Sequence, residues 1–335
     1  MKCFFDPRQL LHAPARELHR GAWIPYCEKP ARAEQIAAAL GDTLPPRDFG
    51  MAPIAAVHAA PYLELLAGAW QAWSAAGRDG DAISYTFPVV RRRFLRLDTI
   101  DARLGAASFD ASTPVTAHTW EAAYAAAQCA LTALGAVTDG RDRLSFALCR
   151  PPGHHAGADY MGGYCYLNNA AIVARHAQTA GYRKVAVLDV DYHHGNGTQD
   201  IFYADADTLF ISIHADPGTD YPYFWGHADE TGEGAGLGAN LNLPLPRGTD
   251  WGRYADALTS AIRAIMAARS DLLVVSFGAD TFAGDPISGF ALRREDFGHM
   301  AAAIGALGLP TVIVMEGGYA VDDLGGNVAA FLGGF

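Results

Sequence analysis

The segment KVAVLDVDYHHGNG, residues 184–197, joins a continuous apolar run to a cluster of polar side chains. Such a run, followed by turn residues, predicts a strand that is buried on both faces of a parallel sheet. If the chain stays extended, Asp189, Asp191 and His193 share one side, because alternate residues of a strand point the same way. Carboxylate and imidazole groups at the carboxyl end of a parallel strand indicate a divalent-metal site. An isolated Asp-x-His would equally fit a helix cap beside a core histidine, so the other strand ends decide.

The composition is that of a large α/β domain. The chain has 335 residues, of which 50% are hydrophobic and 18% charged, and its mean hydropathy is +0.05. No apolar run approaches the roughly 18 residues of a membrane span, and the apolar run near residue 1 is too short for the core of a secretory signal. We therefore expect a cytoplasmic location and no membrane partner.

The net charge of −11 disfavours nucleic acid and suits a cationic substrate. The five cysteines include no Cys-x-x-Cys pair and indicate neither a disulfide framework nor a thiolate zinc site.

Short apolar runs alternate with Ala-rich helical segments along the chain. The predicted strands are 3–5, 144–149, 184–189, 209–214, 272–278 and 311–315, and the predicted helices are 31–40, 59–76, 119–134, 168–180, 250–268, 294–307 and 322–331. This alternation predicts a single-domain α/β fold over residues 1–335, with a predominantly parallel sheet flanked by helices and a site at the carboxyl ends of the strands. Residues 79–116 break the alternation and are predicted to form an entrance or dimer-interface loop.

Three other predicted strands also end in polar side chains. His154 and His155 follow the strand at 144–149, and Asp280 follows the strand at 272–278. After the strand at 311–315, two glycines allow a close approach of the backbone and precede Tyr319, a possible hydrogen-bond donor. Four such endings at one edge of a sheet indicate a common site.

The residue types suggest metal-assisted hydrolysis. Asp191, His193 and Asp280 would neutralise a divalent cation and leave a coordination position open, as in catalytic zinc sites. Such a metal lowers the pKa of bound water and polarises a carbonyl oxygen. Amide hydrolysis also needs a base for the water proton and a donor to the developing oxyanion. The candidates are His154 and His155 for the base and Tyr319 for the donor.

Five longer motifs follow one another along the chain: RPPGHHA at 150–156, GGYCYLNNAA at 162–171, LDVDYHHGNGTQDIFY at 188–203, GADTFAGDPISGF at 278–290 and EGGY at 316–319. Together they resemble the zinc-dependent deacetylases of the arginase/histone-deacetylase superfamily, in the same order and over nearly the whole chain. Asn196, the FPV at 87–89 and the compact length are most similar to the bacterial acetylpolyamine amidohydrolases. The resemblance implies the arginase/deacetylase fold.

The resemblance also implies a role for each matching residue of the centre. Asp191, His193 and Asp280 would hold one catalytic Zn²⁺, for which Fe²⁺ or Co²⁺ could substitute. His155 would act as general base and then acid, with His154 as its electrostatic partner, and Tyr319 would polarise the scissile carbonyl. The residues supporting these groups would be Asp189, which accepts a hydrogen bond from His154, and Asn196, which faces His155. Because a neutral amide raises the pKa of an imidazole less than a carboxylate does, we expect His155 to rest neutral.

Two further sets of residues are implied by the resemblance alone. Substrate would be bound by Tyr164, Tyr221, Gly163, Ile287, Gly317 and Gly318. A structural K⁺ or Na⁺ would be held by Asp189, Ser212 and the carbonyl groups of Asp191, His193 and Ile213, and a second such ion by carbonyls near Phe202, Asp205 and Thr208.

The predicted function is deacetylation of N-acetylated polyamines or similar small cationic amines by a homodimer. The alternatives are an acetyl-lysine protein deacetylase, a silent binding module and an arginase-like hydrolase, which would need more aspartates for a second metal. Acidic candidates for the entrance are Asp98, Asp101 and Asp110 in the insertion and Glu17 in an earlier loop. The insertion also carries Arg91, Arg92, Arg93 and Arg96, which would repel a cationic substrate if they lined the entrance. Phe224 and Trp225 are expected to pack beneath their loop rather than to face a substrate.

Overall fold

The computed structural model describes residues 1–88 and 97–335. The main sheet consists of β1 (Lys2–Phe4), β4 (Leu144–Ala147), β5 (Val185–Asp189), β6 (Thr208–Ala215), β7 (Asn240–Leu245), β8 (Leu272–Phe277) and β9 (Thr311–Met315). Its seven strands lie in the order β1-β4-β9-β8-β5-β6-β7, and all neighbouring pairs are parallel. The predicted α/β fold with a parallel sheet is thereby confirmed.

Helices cover both faces of this sheet. They are α1 (Ala31–Leu40), α2 (Ala52–Ala55), α3 (Ala60–Ala75), α4 (Ile100–Ala106), α5 (Thr119–Thr138), α6 (Asn169–Thr179), α7 (Asn196–Phe202), α8 (Trp251–Ala268), α9 (Arg294–Gly305) and α10 (Val321–Gly333), with 3₁₀ turns at Pro7–Leu11 and Gly234–Gly236. Within the described ranges, no helix is long and apolar enough to cross a bilayer.

Alternate residues of the central strands enter two separate apolar cores. In β5, Val185 and Val187 pack with α5 and α6 on one face, whereas Ala186 and Leu188 pack with α8 and α9 on the other. All four are fully buried. Burial of each valine or leucine side chain contributes about 1.5–3 kcal/mol, which is why residues 185–188 are apolar at every position. The first polar residue of β5 is Asp189, at its carboxyl end.

Several elements were absent from the sequence-based prediction. A hairpin of β2 (Arg16–His19) and β3 (Ala22–Pro25) pairs antiparallel and separately from the main sheet. Strand β7 was missed because asparagines and Pro244 interrupt its apolar pattern, which is tolerated at the edge of a sheet. Helix α4 lies inside the predicted insertion, and α7 begins at Asn196 directly after the HHG turn. Val89 of the FPV motif and the arginines at 91–93 and 96 lie outside the described residues.

Candidate active site

The sequence pattern led us to expect an extended chain after β5, but the chain turns there instead. The Asp189 carboxylate accepts a hydrogen bond from the N–H of Asp191 at 3.1 Å, and the Asp191 carboxylate accepts one from the N–H of His193 at 2.9 Å. Aspartates that bond the amide two residues ahead form Asx turns. Two successive turns, and not strand alternation, bring these three side chains together.

The three predicted metal ligands lie together in a buried cluster. Asp191, His193 and Asp280 each place a ligand atom within 4.8 Å of the others. His193 Nδ1 is 3.0 Å from Asp280 Oδ2 and 3.3 Å from Asp191 Oδ1. Burial, followed by the charge of Asp191, raises the pKa of Asp280 to about 7. Two buried carboxylates beside one imidazole are costly unless a cation neutralises them, so this donor set fits a divalent metal.

The tandem histidines have different partners and different charge states. His154 Nδ1 lies 2.9 Å from Asp189 Oδ2. Burial alone would lower the pKa of His154, but the charges of Asp189 and Asp191 and the hydrogen bond to Asp189 together outweigh it and raise that pKa to about 10. His155 Nδ1 donates to Asn196 Oδ1 at 2.6 Å, which leaves Nε2 as a proton acceptor. Burial and the neighbouring His154 hold the pKa of His155 well below its usual value of 6.5. The pair therefore combines a cationic and a neutral imidazole, with ring centres 4.1 Å apart. The catalytic roles assigned to them stay predictions.

A cavity of about 370 Å³ connects this cluster to the surface. His155, His193 and Tyr319 line it beside the predicted substrate residues Gly163, Tyr164, Tyr221 and Ile287. The Tyr164 ring lies 5.6 Å from that of Tyr319, and the Tyr221 ring lies 5.1 Å from that of His155. Aromatic walls of this kind suit a narrow apolar chain.

Tyr319 is held as a protonated phenol. Burial raises its pKa well above 10, although Arg32 opposes this shift. The Arg32 guanidinium lies 4.8 Å from the Tyr319 ring centre and donates to the carbonyl groups of Glu316 and Gly318 at 2.7 and 2.5 Å. A phenol that keeps its proton can donate to an oxyanion formed in the cavity.

Two positions near the site must be glycine, because a Cβ there would collide with side chains of the site. Gly163 has a φ of +53°, and a Cβ there would collide with the His155 ring. At Gly317 a Cβ would lie 2.6 Å from carboxylate oxygens of both Asp191 and Asp280, while its N–H donates to Asp191 at 2.8 Å. Gly318 faces Leu324, and neither Gly317 nor Gly318 is among the residues that line the cavity.

The residues predicted for an alkali cation lie behind the metal cluster. Asp189 and Ser212 are paired in register between β5 and β6, and both are fully buried. Ser212 Oγ also lies 2.8 Å from His214 Nδ1. The ion itself, and the part played by the carbonyl groups of Asp191, His193 and Ile213, stay predictions.

The acidic candidates for the entrance separate into two groups. Asp110 lines the cavity, and Glu17 lies buried behind its wall, where its carboxylate accepts the Tyr164 hydroxyl at 2.9 Å. Burial raises the pKa of Glu17 to about 7. Asp101 instead pairs with Arg78, and Asp98 is not among the lining residues.

The expectation for Phe224 was wrong. Its side chain is 78% exposed, whereas Trp225 is half-buried against Phe109 with ring centres 5.6 Å apart. In the loop 216–230, Tyr223 and Phe224 are both exposed, whereas Tyr221 and Trp225 on either side of them are partly buried.

Sequence reasoning missed two buried carboxylates that support the site. Glu316 Oε2 accepts the N–H groups of Gly153 and His154 at 2.7 and 3.1 Å, so it fixes the histidine loop. Asp285 Oδ2 accepts the Tyr319 N–H at 2.6 Å, and its Oδ1 accepts the Ile287 N–H at 3.1 Å. Both lie in motifs that had been interpreted only through their neighbours.

Replacing Glu316 with alanine should lower the free energy of unfolding by about 2–4 kcal/mol, because two buried N–H groups lose their acceptor. Glu316→Gln keeps an acceptor oxygen and should retain most of the stability, consistent with burial raising the pKa of Glu316 to about 7. Urea unfolding of both variants measures the difference. Equal stability of the two variants would show that these bonds contribute little.

The comparisons with known proteins agree with the fold. The model of the histone deacetylase domain matches residues 26–335. The chain is 52% identical to acetylpolyamine amidohydrolase 2 of Pseudomonas aeruginosa, with 100% of this chain and 98% of the relative covered, and 44% identical to the acetylpolyamine amidohydrolase of Mycoplana ramosa, with 100% and 99% covered. A crystal structure of the acetylpolyamine aminohydrolase of Burkholderia pseudomallei superposes with a TM-score of 0.96 at 44% identity, covering 100% of this chain and 98% of that one.

The chain therefore belongs to the histone deacetylase family. It is similar over its whole length to acetylpolyamine amidohydrolases. The protein is a deacetylase, a hydrolase of the amide bond.

Proposed function

We propose that the chain is a zinc-dependent amidohydrolase that removes acetyl groups from N-acetylated polyamines or similar small cationic amines. The observation that carries the proposal is one cavity that reaches His193, His155 and Tyr319 between aromatic walls and also exposes Asp110. The names of the full-length relatives support the substrate class. The proposal includes a structural alkali cation and a homodimer in which residues 79–116 shape the entrance.

The charge of Asp110 suits an ammonium group. Its carboxylate accepts hydrogen bonds from the Gly163 N–H at 2.8 Å and the Tyr221 hydroxyl at 2.9 Å, both neutral donors. No cationic side chain within residues 1–88 and 97–335 pairs with it. A substrate cation near Asp110 would therefore gain an attraction that a neutral peptide would not.

Each residue of the site has its own role in the proposed amide hydrolysis. Asp191, His193 and Asp280 would hold the zinc ion, which would supply Lewis-acid activation of water and of the carbonyl. His155 Nε2 takes the proton as water oxygen adds to the acyl carbon, and the Tyr319 hydroxyl donates to the oxyanion. When the C–N bond breaks, His155 returns the proton to the leaving nitrogen, giving acetate and the free amine. His154 stays cationic beside Asp189 and stabilises the negative charge of the intermediate.

We expect the zinc-loaded protein to hydrolyse N-acetylputrescine with a kcat/KM at least tenfold above that for an acetyl-lysine peptide. The peptide has no ammonium group where N-acetylputrescine carries its free amine. Asp110→Asn should lower kcat/KM for N-acetylputrescine about fivefold more than for N-butylacetamide, its uncharged analogue. The analogue controls for any general disturbance of the walls. Preference for the peptide would overturn the substrate assignment and favour a protein deacetylase.

A further inference from the structure

The residues that line the cavity include cations as well as Asp110. Arg20 and Arg247 are both among them, and Arg20 is exposed to solvent. Arg247 is already paired, because its guanidinium bonds the Asp220 carboxylate and lies 3.4 Å from the Ser288 carbonyl oxygen. Its charge is therefore offset within the protein.

Arg20 is different. It is exposed, and over the described ranges its side chain has neither an ion-pair nor a hydrogen-bond partner. It sits at the turn between β2 and β3, where His19 pairs with Ala22. Arg20 and Gly21 have φ values of +48° and +80°, as in a tight two-residue hairpin turn. The turn thus holds an unpaired guanidinium at the entrance of a cavity that contains an unneutralised carboxylate.

Each of the simplest substrates uses only part of this pair of charges. A monoacetylated diamine has an ammonium for Asp110 but no anion for Arg20, and an acetylated lysine within a protein has neutral amides on both sides of its Cα. A free α-amino acid carries an ammonium and a carboxylate on one carbon. Such a zwitterionic end can use Asp110 and Arg20 together.

We propose that the cavity also accepts free α,ω-diamino acids acetylated on the side-chain nitrogen, with the α-ammonium at Asp110 and the α-carboxylate at Arg20. The inference rests on the proposed function, because the bond broken is the same. Water adds to the acetyl carbon, the C–N bond breaks, and the products are acetate and the free diamino acid.

Two substrates isolate the carboxylate. Nε-acetyl-L-lysine and N-acetylcadaverine share the acetamide and the five-carbon spacing between nitrogens, and they differ only in the α-carboxylate. Arg20→Gln should lower kcat/KM about three- to fivefold for acetyl-lysine and raise it up to about twofold for acetylcadaverine, as expected for a half-exposed charge pair. Their ratio should shift by up to about tenfold and the shift should shrink in 0.5 M NaCl. Arg16→Gln is the matched control, since Arg16 lies on the same hairpin over Trp23 and does not line the cavity.

The outcomes separate this inference from the proposed function. Turnover of acetylcadaverine with negligible turnover of acetyl-lysine would overturn the inference and leave the polyamine assignment standing. Equal losses for both substrates in Arg20→Gln, or the same ratio shift in Arg16→Gln, would also overturn it. Turnover of acetyl-lysine alone would support the inference and overturn the polyamine assignment. The methyl ester of Nε-acetyl-lysine keeps the ammonium but lacks the carboxylate charge, so Arg20→Gln should change its kcat/KM as it changes that of acetylcadaverine.

Discussion

Replacing Tyr319 with phenylalanine should lower kcat for N-acetylputrescine by about 100- to 1000-fold, the usual loss when one oxyanion donor is removed. The phenol lines the inner part of the cavity, and burial keeps its pKa well above 10, so it is a donor over the whole working pH range. Its ring is held between Arg32 and Tyr164 and should stay in place without the hydroxyl. The measurement is kcat together with bound zinc per protein.

Tyr164→Phe provides the matched control for this prediction. The Tyr164 hydroxyl donates to Glu17 and points away from the reacting centre, so its loss should lower kcat less than about tenfold. Both variants remove one hydroxyl from the same aromatic cluster. If Tyr319→Phe kept more than a tenth of the wild-type kcat with full zinc content, the oxyanion role would have to be abandoned.

The sequence predicted the sheet well because its central strands are largely apolar. β5, β8 and β9 are buried on both faces; β5 ends at Asp189, β8 ends just before Gly278 and β9 just before Glu316. Helices with a single apolar face, such as α1 and α8, were placed within a residue of their observed bounds. β7 and the β2–β3 hairpin have no such pattern, since one is an edge strand and the other is largely exposed.

The site shows a similar division. Asp191, His193 and Asp280 were predictable because ligand types at strand ends have a chemical meaning. The hydrogen bonds of Glu316 and Asp285 could not be predicted, since they depend on which backbone N–H groups lie beside these carboxylates in the folded chain. A buried Glu in a Gly-rich strand end is a usable signal, because a buried carboxylate without hydrogen bonds would be expensive. Arg20 had no signal at all, because only the hairpin brings it to the cavity.

Asp280→Asn should abolish zinc binding and at the same time stabilise the metal-free protein at pH 7–8. The carboxyl has a pKa of about 7 in the folded chain, raised by burial and by Asp191, against about 3.8 when unfolded. The unfolded state therefore loses its proton first, and this group opposes folding increasingly as pH rises from about 4 to 7. An amide removes that penalty. Its oxygen can still accept the Tyr192 N–H, which now bonds the carboxylate at 2.9 Å.

Thermal unfolding with and without zinc distinguishes the two effects. Without metal, the variant should have a higher Tm than the wild type at pH 8, and the difference should shrink toward pH 5. With zinc at about 100 times its Kd, the wild type should gain about 2.7 kcal/mol and the variant almost nothing. A variant that bound a full equivalent of zinc would remove Asp280 from the ligand set. A variant that was less stable than the wild type at every pH would show that the Asp280 carboxylate stabilises the fold even without a metal. The premise that its burial beside Asp191 destabilises the metal-free protein would then be wrong.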